Sequence, residues 1–191
     1  MKIQDPKQSP TVDYNVIDRR FREMQKMIEK HGFGLGHDVL VFGERAPFEH
    51  ELSKLLGVKF NYTNFDLDGE FPSGIPENID TMFCCELIEH LLNPLWFFRQ
   101  AREIMTDDTL MYVTYPIQPK WAWCDCHWHE MDKSRFRYLL REAGLEIVDY
   151  KQYINWKRPL GIRPIIRNTP FGWLKQQIYV LKKGKLRCDM A

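Results

Sequence analysis

Apolar residues recur at helical spacing at Ile17, Phe21, Met24 and Ile28, which predicts an amphipathic helix ending near Gly32. The period then changes. Val39-Leu40-Val41-Phe42 is a continuous apolar run, the pattern of a central parallel strand covered on both faces. Gly43 follows, and Phe48, Leu52, Leu55 and Leu56 restore helical spacing up to a stop at Gly57. Val58 to Tyr62 reads as a second strand, and Ile79 to Cys84 as a buried third one. Between them, residues 63–78 are rich in Gly, Pro and acids and leave little room for a helix. Asn93-Pro94 starts the next helix, with Asn as N-cap and Pro at the first helical position, and Phe97, Ala101 and Ile104 mark its face to about Met105. Leu110 to Thr114 is a strand, Tyr115 to Asp132 a long aromatic loop, and Phe136, Leu139 and Leu140 a helix closed by Gly144. Leu145 to Val148 and Gln177 to Leu181 complete six strand candidates, separated by an irregular stretch over 151–176 that holds Pro159, Pro164 and Pro170. Strands alternating with helices in this way specify an α/β sheet with right-handed crossovers.

The stretch CCELIEHLLNP, Cys84 to Pro94, concentrates the candidate chemistry. Glu86, Glu89 and His90 stand at i, i+3 and i+4, so a helical turn starting there would put them on one face, at the carboxyl end of a central strand. Ligands of open α/β sheets bind at that edge. Glu86 would also suit a helix N-terminus as a plain macrodipole partner, and Glu89 with His90 would serve equally as a structural ion pair.

Composition narrows the class without naming it. A length of 191 residues, 44% of them hydrophobic, fits one globular domain, with 1–12 as a loose polar arm. Twenty-seven Lys and Arg against 26 Asp and Glu give a net charge of +1, so no overall pull toward nucleic acid or anionic membrane is expected. From Lys151 onward ten cationic residues face only Asp189, which reads first as a solvated basic end. Five cysteines, an odd number arranged as Cys84/Cys85, Cys124/Cys126 and Cys188, do not form a secreted disulfide framework. With no apolar run of membrane-spanning length, the expected setting is the reducing cytoplasm.

From Asp38 to Tyr150 the chain resembles a class I S-adenosylmethionine-dependent methyltransferase. CCELIEHLLNPLWFFRQAREIM is similar to the family's fourth strand and following helix, TDDTLMYVTYP to the turn into its fifth strand, and HWHEMDKSRFRYLLREAGLEIVDY to its H-x-H-E, helix and strand ending. The resemblance implies one Rossmann-like, doubly wound domain over 1–191: a mostly parallel seven-stranded sheet with an antiparallel last strand and helices on both faces. It departs at the cofactor turn, where VFGERAPF keeps Gly43 but has Val41 at the usual acid and Glu44-Arg45-Ala46-Pro47 in place of the glycines. GERAPF and DGEFP resemble a subset of bacterial members with such a turn.

The family's function carries over residue by residue. Gly43, Glu44, Asn64, Asp66 and Glu86 are the expected S-adenosylmethionine contacts, with Asp68 a further candidate for the ribose. His90 or His129 is the expected base for methyl transfer to an oxygen of a small molecule, sugar or nucleic acid. A small-molecule or glycan acceptor is the first choice of partner and RNA the alternative. Small-RNA 2′-O-methyltransferases and quinone-pathway O-methyltransferases resemble the Glu-x-x-Glu-His layout, which implies a divalent metal (Mg, Mn, Zn or Fe) on Glu86, Glu89, His90 and one of His127 or His129. Cys124-x-Cys126-His127-x-His129 is too tight for a usual structural zinc site, so the loop with Trp121, Trp123 and Trp128 is expected to cover the substrate. A different class also fits: a methyltransferase-fold binding or assembly module that has lost catalysis, for which the glycine-poor turn speaks.

Overall fold

The structure, a computed structural model, describes residues 14–32, 38–43, 47–63, 67–68, 75–76, 78–117, 127–154 and 175–186. In chain order the elements are α1 (Tyr14–His31), β1 (Val39–Phe42), α2 (Pro47–Leu56), β2 (Phe60–Thr63), β3 (Thr81–Cys85), a single 3₁₀ turn (Ile88–His90), α3 (Pro94–Glu103), β4 (Leu110–Ile117), α4 (Lys133–Glu142), β5 (Leu145–Ile154) and β6 (Lys175–Lys183). The arm over 1–12 lies outside the described residues, as do 155–174 of the irregular stretch.

The six strands form one sheet in the order β2-β1-β3-β4-β6-β5. β2, β1, β3 and β4 are parallel, and β6 runs antiparallel to both its neighbours, β4 and β5. Among the described residues there is no seventh strand, so the count implied by the resemblance is not met there, whereas the six apolar runs of the sequence each become a strand. β1 is buried along its whole length because both faces are covered. On one face Leu40, Met82, Met111 and Tyr179 pack against Phe97, Phe98 and Ala101 of α3 and Phe136 and Leu140 of α4. On the other, Val39, Val41, Phe83 and Tyr112 pack against Met24, Met27 and Ile28 of α1 and Leu52 of α2. Ile17, Phe48 and Leu55 fall outside the described side chains.

Local signals set the helix ends. The Asn93 side chain accepts from Trp96 N at 3.1 Å, with Pro94 in the first turn, as the sequence predicts. Asn93→Ala is expected to lower stability by about 1 kcal/mol, read from a shifted denaturant midpoint at unchanged slope.

Two strands run past their predicted ends. β4 continues through Tyr115 and Pro116 to Ile117, because β3 pairing stops at Cys85↔Thr114 while β6 pairing goes on to Ile117↔Lys175. Pro116 is tolerated there since its missing N–H can face the side that β3 has left. The expected loop therefore starts later, and Tyr115 is a buried strand residue. β5 reaches Ile154 because a bulge between Ile147 and Asp149 resets its alternation, which hides the second half of the strand from a period-two pattern. None of the described helices is long and apolar enough to cross a membrane.

Candidate functional site

β1 and β3 are sheet neighbours, yet the chain leaves β1 for β2 on one side before returning to β3 on the other. Such a reversal opens a crevice outside the carboxyl ends of the two strands. Gly43 ends β1 at φ 108°, a conformation that favours glycine, and its N–H donates to Thr63 Oγ1 at 2.9 Å. Among the described residues, a Cβ built there would meet no atom within 4 Å, which leaves the backbone open to close approach.

Glu86 closes β3 on the other wall at φ 52°; among the described residues no other non-glycine has a positive φ. Such a conformation persists only where the surroundings over-determine it, and here four bonds do so. The Glu86 N–H donates to Thr114 Oγ1 at 3.0 Å, and that hydroxyl donates back to Oε1 at 2.8 Å. Gln176 Nε2 also donates to Oε1, and Arg20 Nη2 of α1 donates to Oε2 at 3.2 Å. The expected helical face therefore does not form: the chain turns at Glu86, then makes the single 3₁₀ turn at Ile88–His90. Its carboxylate is bonded to Arg20, Thr114 and Gln176.

The 3₁₀ turn places a second group of donors. One carboxylate oxygen or ring nitrogen from each of Glu89, His90 and His127 lies within 4.8 Å of the others, a group that could hold a metal ion. Glu89 is 1% exposed, and among the described residues its Oε2 has no hydrogen-bond partner. Burial first, and the Glu86 carboxylate second, push the Glu89 carboxyl up to about 9. The His90 and His127 rings meet edge to face at 4.8 Å and 78°. His127 Nδ1 lies 2.8 Å from Glu130 Oε1, with both side chains over nine-tenths buried.

The segment carrying His127 is fastened over the turn by its own backbone. Trp128 N and His129 N both donate to Glu89 O, at 2.8 and 3.3 Å. The Tyr115 hydroxyl donates to His129 O and accepts from Met131 N, each at 2.7 Å, and burial raises its pKa so that it stays a neutral phenol. His129 Nε2 instead meets Leu92 O at 3.2 Å, which turns the ring to the chain that follows the 3₁₀ turn. Trp128 and Leu92, 60% and 61% exposed, stand beside the cluster in sequence and are open to solvent.

The structure thus brings Gly43 and Glu86 to the two walls of the crevice, and joins Glu89 and His90 to His127. Among the described residues Glu86 and His129 are not in the potential metal-ligand group. Asp68 caps the loop before α3, accepting from Leu92 N at 2.7 Å and Asn93 N at 3.1 Å. Glu44, Asn64, Asp66, Trp121, Trp123, Cys124 and Cys126 lie outside the described residues. Sequence reasoning missed Arg20, Thr114, Gln176 and Glu130. Glu130 carried a signal, three residues after His127 in HWHE, and so did Gln176, which with Gln177 leads into the apolar run Ile178 to Leu181. Arg20, 66 residues from Glu86, carried none.

Solved structures of low sequence identity share this fold. A chain of the complex containing the Haloferax volcanii Trm112 methyltransferase activator matches with a TM-score of 0.64 at 10% identity, over 91% of this chain and 93% of that one. The Burkholderia thailandensis 1,6-didemethyltoxoflavin-N1-methyltransferase, with 1,6-didemethyltoxoflavin and S-adenosylhomocysteine bound, matches at 0.54 and 11% identity, over 96% and 94%. The (4+2) cyclase SpnF matches at 0.58 and 13% identity, over 86% and 80%. The likeness shows the fold, a Rossmann-like α/β sheet that this chain shares with solved methyltransferases. No family model matches the sequence, and no curated protein matches it.

Proposed function

We propose that this protein is an S-adenosylmethionine-dependent methyltransferase that methylates an acceptor oxygen in a reducing, cytoplasmic setting. The observation that carries the reading is the crevice between β1 and β3, with the open positive-φ turn of Gly43 on one wall and the Glu89–His90–His127 cluster beside the other. Neighbours of the same fold, such as the Burkholderia enzyme, hold S-adenosylhomocysteine. Gly43 lets the backbone approach the cofactor's amino-acid part, and Glu44, Asn64 and Asp66 would complete its contacts from the ends of β1 and β2. S-adenosylmethionine, when bound, supplies an electrophilic methyl sulfonium.

The donor cluster fits a divalent cation. One carboxylate and two imidazoles suit Mg, Mn, Zn or Fe, and the buried Glu89 Oε2 lacks the partner that a cation would give it. A cation held by Glu89, His90 and His127 would lower the pKa of a bound hydroxyl and orient it. Glu86, already bonded to Arg20, Thr114 and Gln176, would shape the crevice wall by holding the end of β3 against β4 and β6. With His90 on the cation, His129 is the base: its Nε2 donates to Leu92 O, which leaves Nδ1 to take the acceptor's proton. Trp128 and Leu92 would present an apolar rim to a small-molecule or glycan acceptor.

Titration calorimetry with S-adenosylmethionine and S-adenosylhomocysteine tests the reading, backed by thermal shift. At a hundredfold excess over Kd the cofactor should stabilise the fold by about 2.7 kcal/mol. No heat and an unmoved melting curve at millimolar cofactor would favour the second reading, a non-catalytic module. The observation on that side is that the Glu86 carboxylate already has three protein partners. Trp128→Ala should weaken acceptor binding roughly tenfold, leave cofactor affinity in place and cost little stability, because the ring is mostly exposed. Unchanged acceptor affinity would remove the rim from the site.

A further inference from the structure

We propose that Glu130 is a positioning residue for the cation site: it fixes the His127 ring in the tautomer and orientation that present Nε2 to the metal. The inference rests on the cation reading above and adds a residue that touches neither cation nor acceptor. A histidine ligates through an unprotonated nitrogen, and the hydrogen bond made by its other nitrogen decides which one that is. His127 Nδ1 lies 2.8 Å from Glu130 Oε1, and an ionised carboxylate only accepts. In the neutral imidazole Nδ1 then carries the proton, which leaves Nε2 its lone pair.

Three features make this more than a surface contact. Both side chains are nearly buried, His127 at 9% and Glu130 at 6% exposure, so water does not compete for the bond. The two residues sit on one short segment whose backbone is fixed by Trp128 N to Glu89 O and by the Tyr115 hydroxyl to His129 O and Met131 N. Support and ligand are thus hung from the carbonyl of another ligand, Glu89, and cannot drift apart independently. Finally, Glu89, ionised on binding a cation, would give the three ligands one negative charge, and the Glu130 carboxylate would place a second just behind the imidazole, which strengthens its hold on the cation.

The test uses the whole chain, stripped of metal by a chelator, as wild type, Glu130→Gln and Glu130→Ala. Nitrogen-15 spectra of the histidine rings read the tautomer without any metal. Wild type should show His127 protonated at Nδ1; Glu130→Gln should keep that form through its amide oxygen, and Glu130→Ala should lose it. Titration with Mn²⁺ should then weaken 10- to 100-fold in Glu130→Ala and less in Glu130→Gln, at similar melting temperatures of the metal-free proteins. A purely structural Glu130 would lower the melting temperature and leave the tautomer and Mn²⁺ affinity alone, and that result overturns the proposal. So does Mn²⁺ affinity within twofold of wild type in Glu130→Ala. If Glu130→Ala does not fold, Glu130→Gln decides: the Nδ1-protonated form with moderately weakened Mn²⁺ binding supports the proposal, and full affinity overturns it. A wild type that binds no Mn²⁺ overturns the cation reading and this proposal together, whereas equal binding by wild type and variant overturns this proposal alone.

Discussion

Glu89→Gln is expected to abolish divalent-cation binding and, in metal-free protein, to flatten the dependence of stability on pH. The first effect follows from chemistry. Glu89 brings the only carboxylate of the cluster, and an amide in its place leaves two neutral imidazoles to hold a dication. A loss of at least a hundredfold in Mn²⁺ affinity is the expected scale for removing a charged ligand, larger than that for a supporting residue. The second effect follows from burial. The Glu89 carboxyl is raised from 4.5 to about 9 in the folded chain. Between those values the folded state holds a proton that the unfolded state has released, so stability falls as pH rises, by at most about 1.4 kcal/mol per unit. Glutamine has no proton to lose, and its profile lacks that slope. Thermal melts in chelator from pH 5 to 9 separate the two proteins: parallel profiles would show that Glu89 ionises normally.

Gly43→Val is expected to remove the response to S-adenosylmethionine while the protein still folds. A built Cβ meets no atom of the described residues within 4 Å, so the cost is set by the backbone at φ 108°, where a β-branched residue is an outlier. Strain of this kind costs on the order of 1–3 kcal/mol. The added side chain would also fill the space over the end of β1 that the cofactor's amino-acid part would enter. Calorimetry should show no measurable binding, against a wild-type stabilisation of about 2.7 kcal/mol at hundredfold excess over Kd. Gly43→Ala, with the same strain and less bulk, should keep a weaker response. Wild-type affinity in Gly43→Val would move the cofactor away from β1 and undo the reading of the crevice.

The site was legible in the sequence as a location more than as an arrangement. The stretch Cys84 to His90 does end a central strand, and Glu89 and His90 do meet a histidine of the HWHE segment. The helical face for Glu86, Glu89 and His90 failed because spacing along a chain translates into a face only where the backbone keeps a helical period. At Glu86 the chain takes φ 52°, held there by Gln176, 90 residues away, and Arg20, 66 residues away. No pattern within CCELIEH reports those partners.

The elements whose causes are local were determined by the sequence alone. Apolar runs at 39–42 and 79–84 become central strands because covering both faces requires apolar side chains throughout. Asn93-Pro94 starts α3, and Gly57 and Gly144 stop helices at positive φ, because caps and left-handed residues act within one turn. The order of strands, the extension of β4 and β5, and the choice between His127 and His129 were decided by tertiary structure. The two histidines are two residues apart and chemically identical. Glu130 and the backbone bonds to Glu89 bring His127 to the cluster, whereas a bond to Leu92 O holds His129 outside it. The carbonyls of Glu89 and Leu92 that make that choice, 37 or more residues away, reach the segment only once the sheet has assembled.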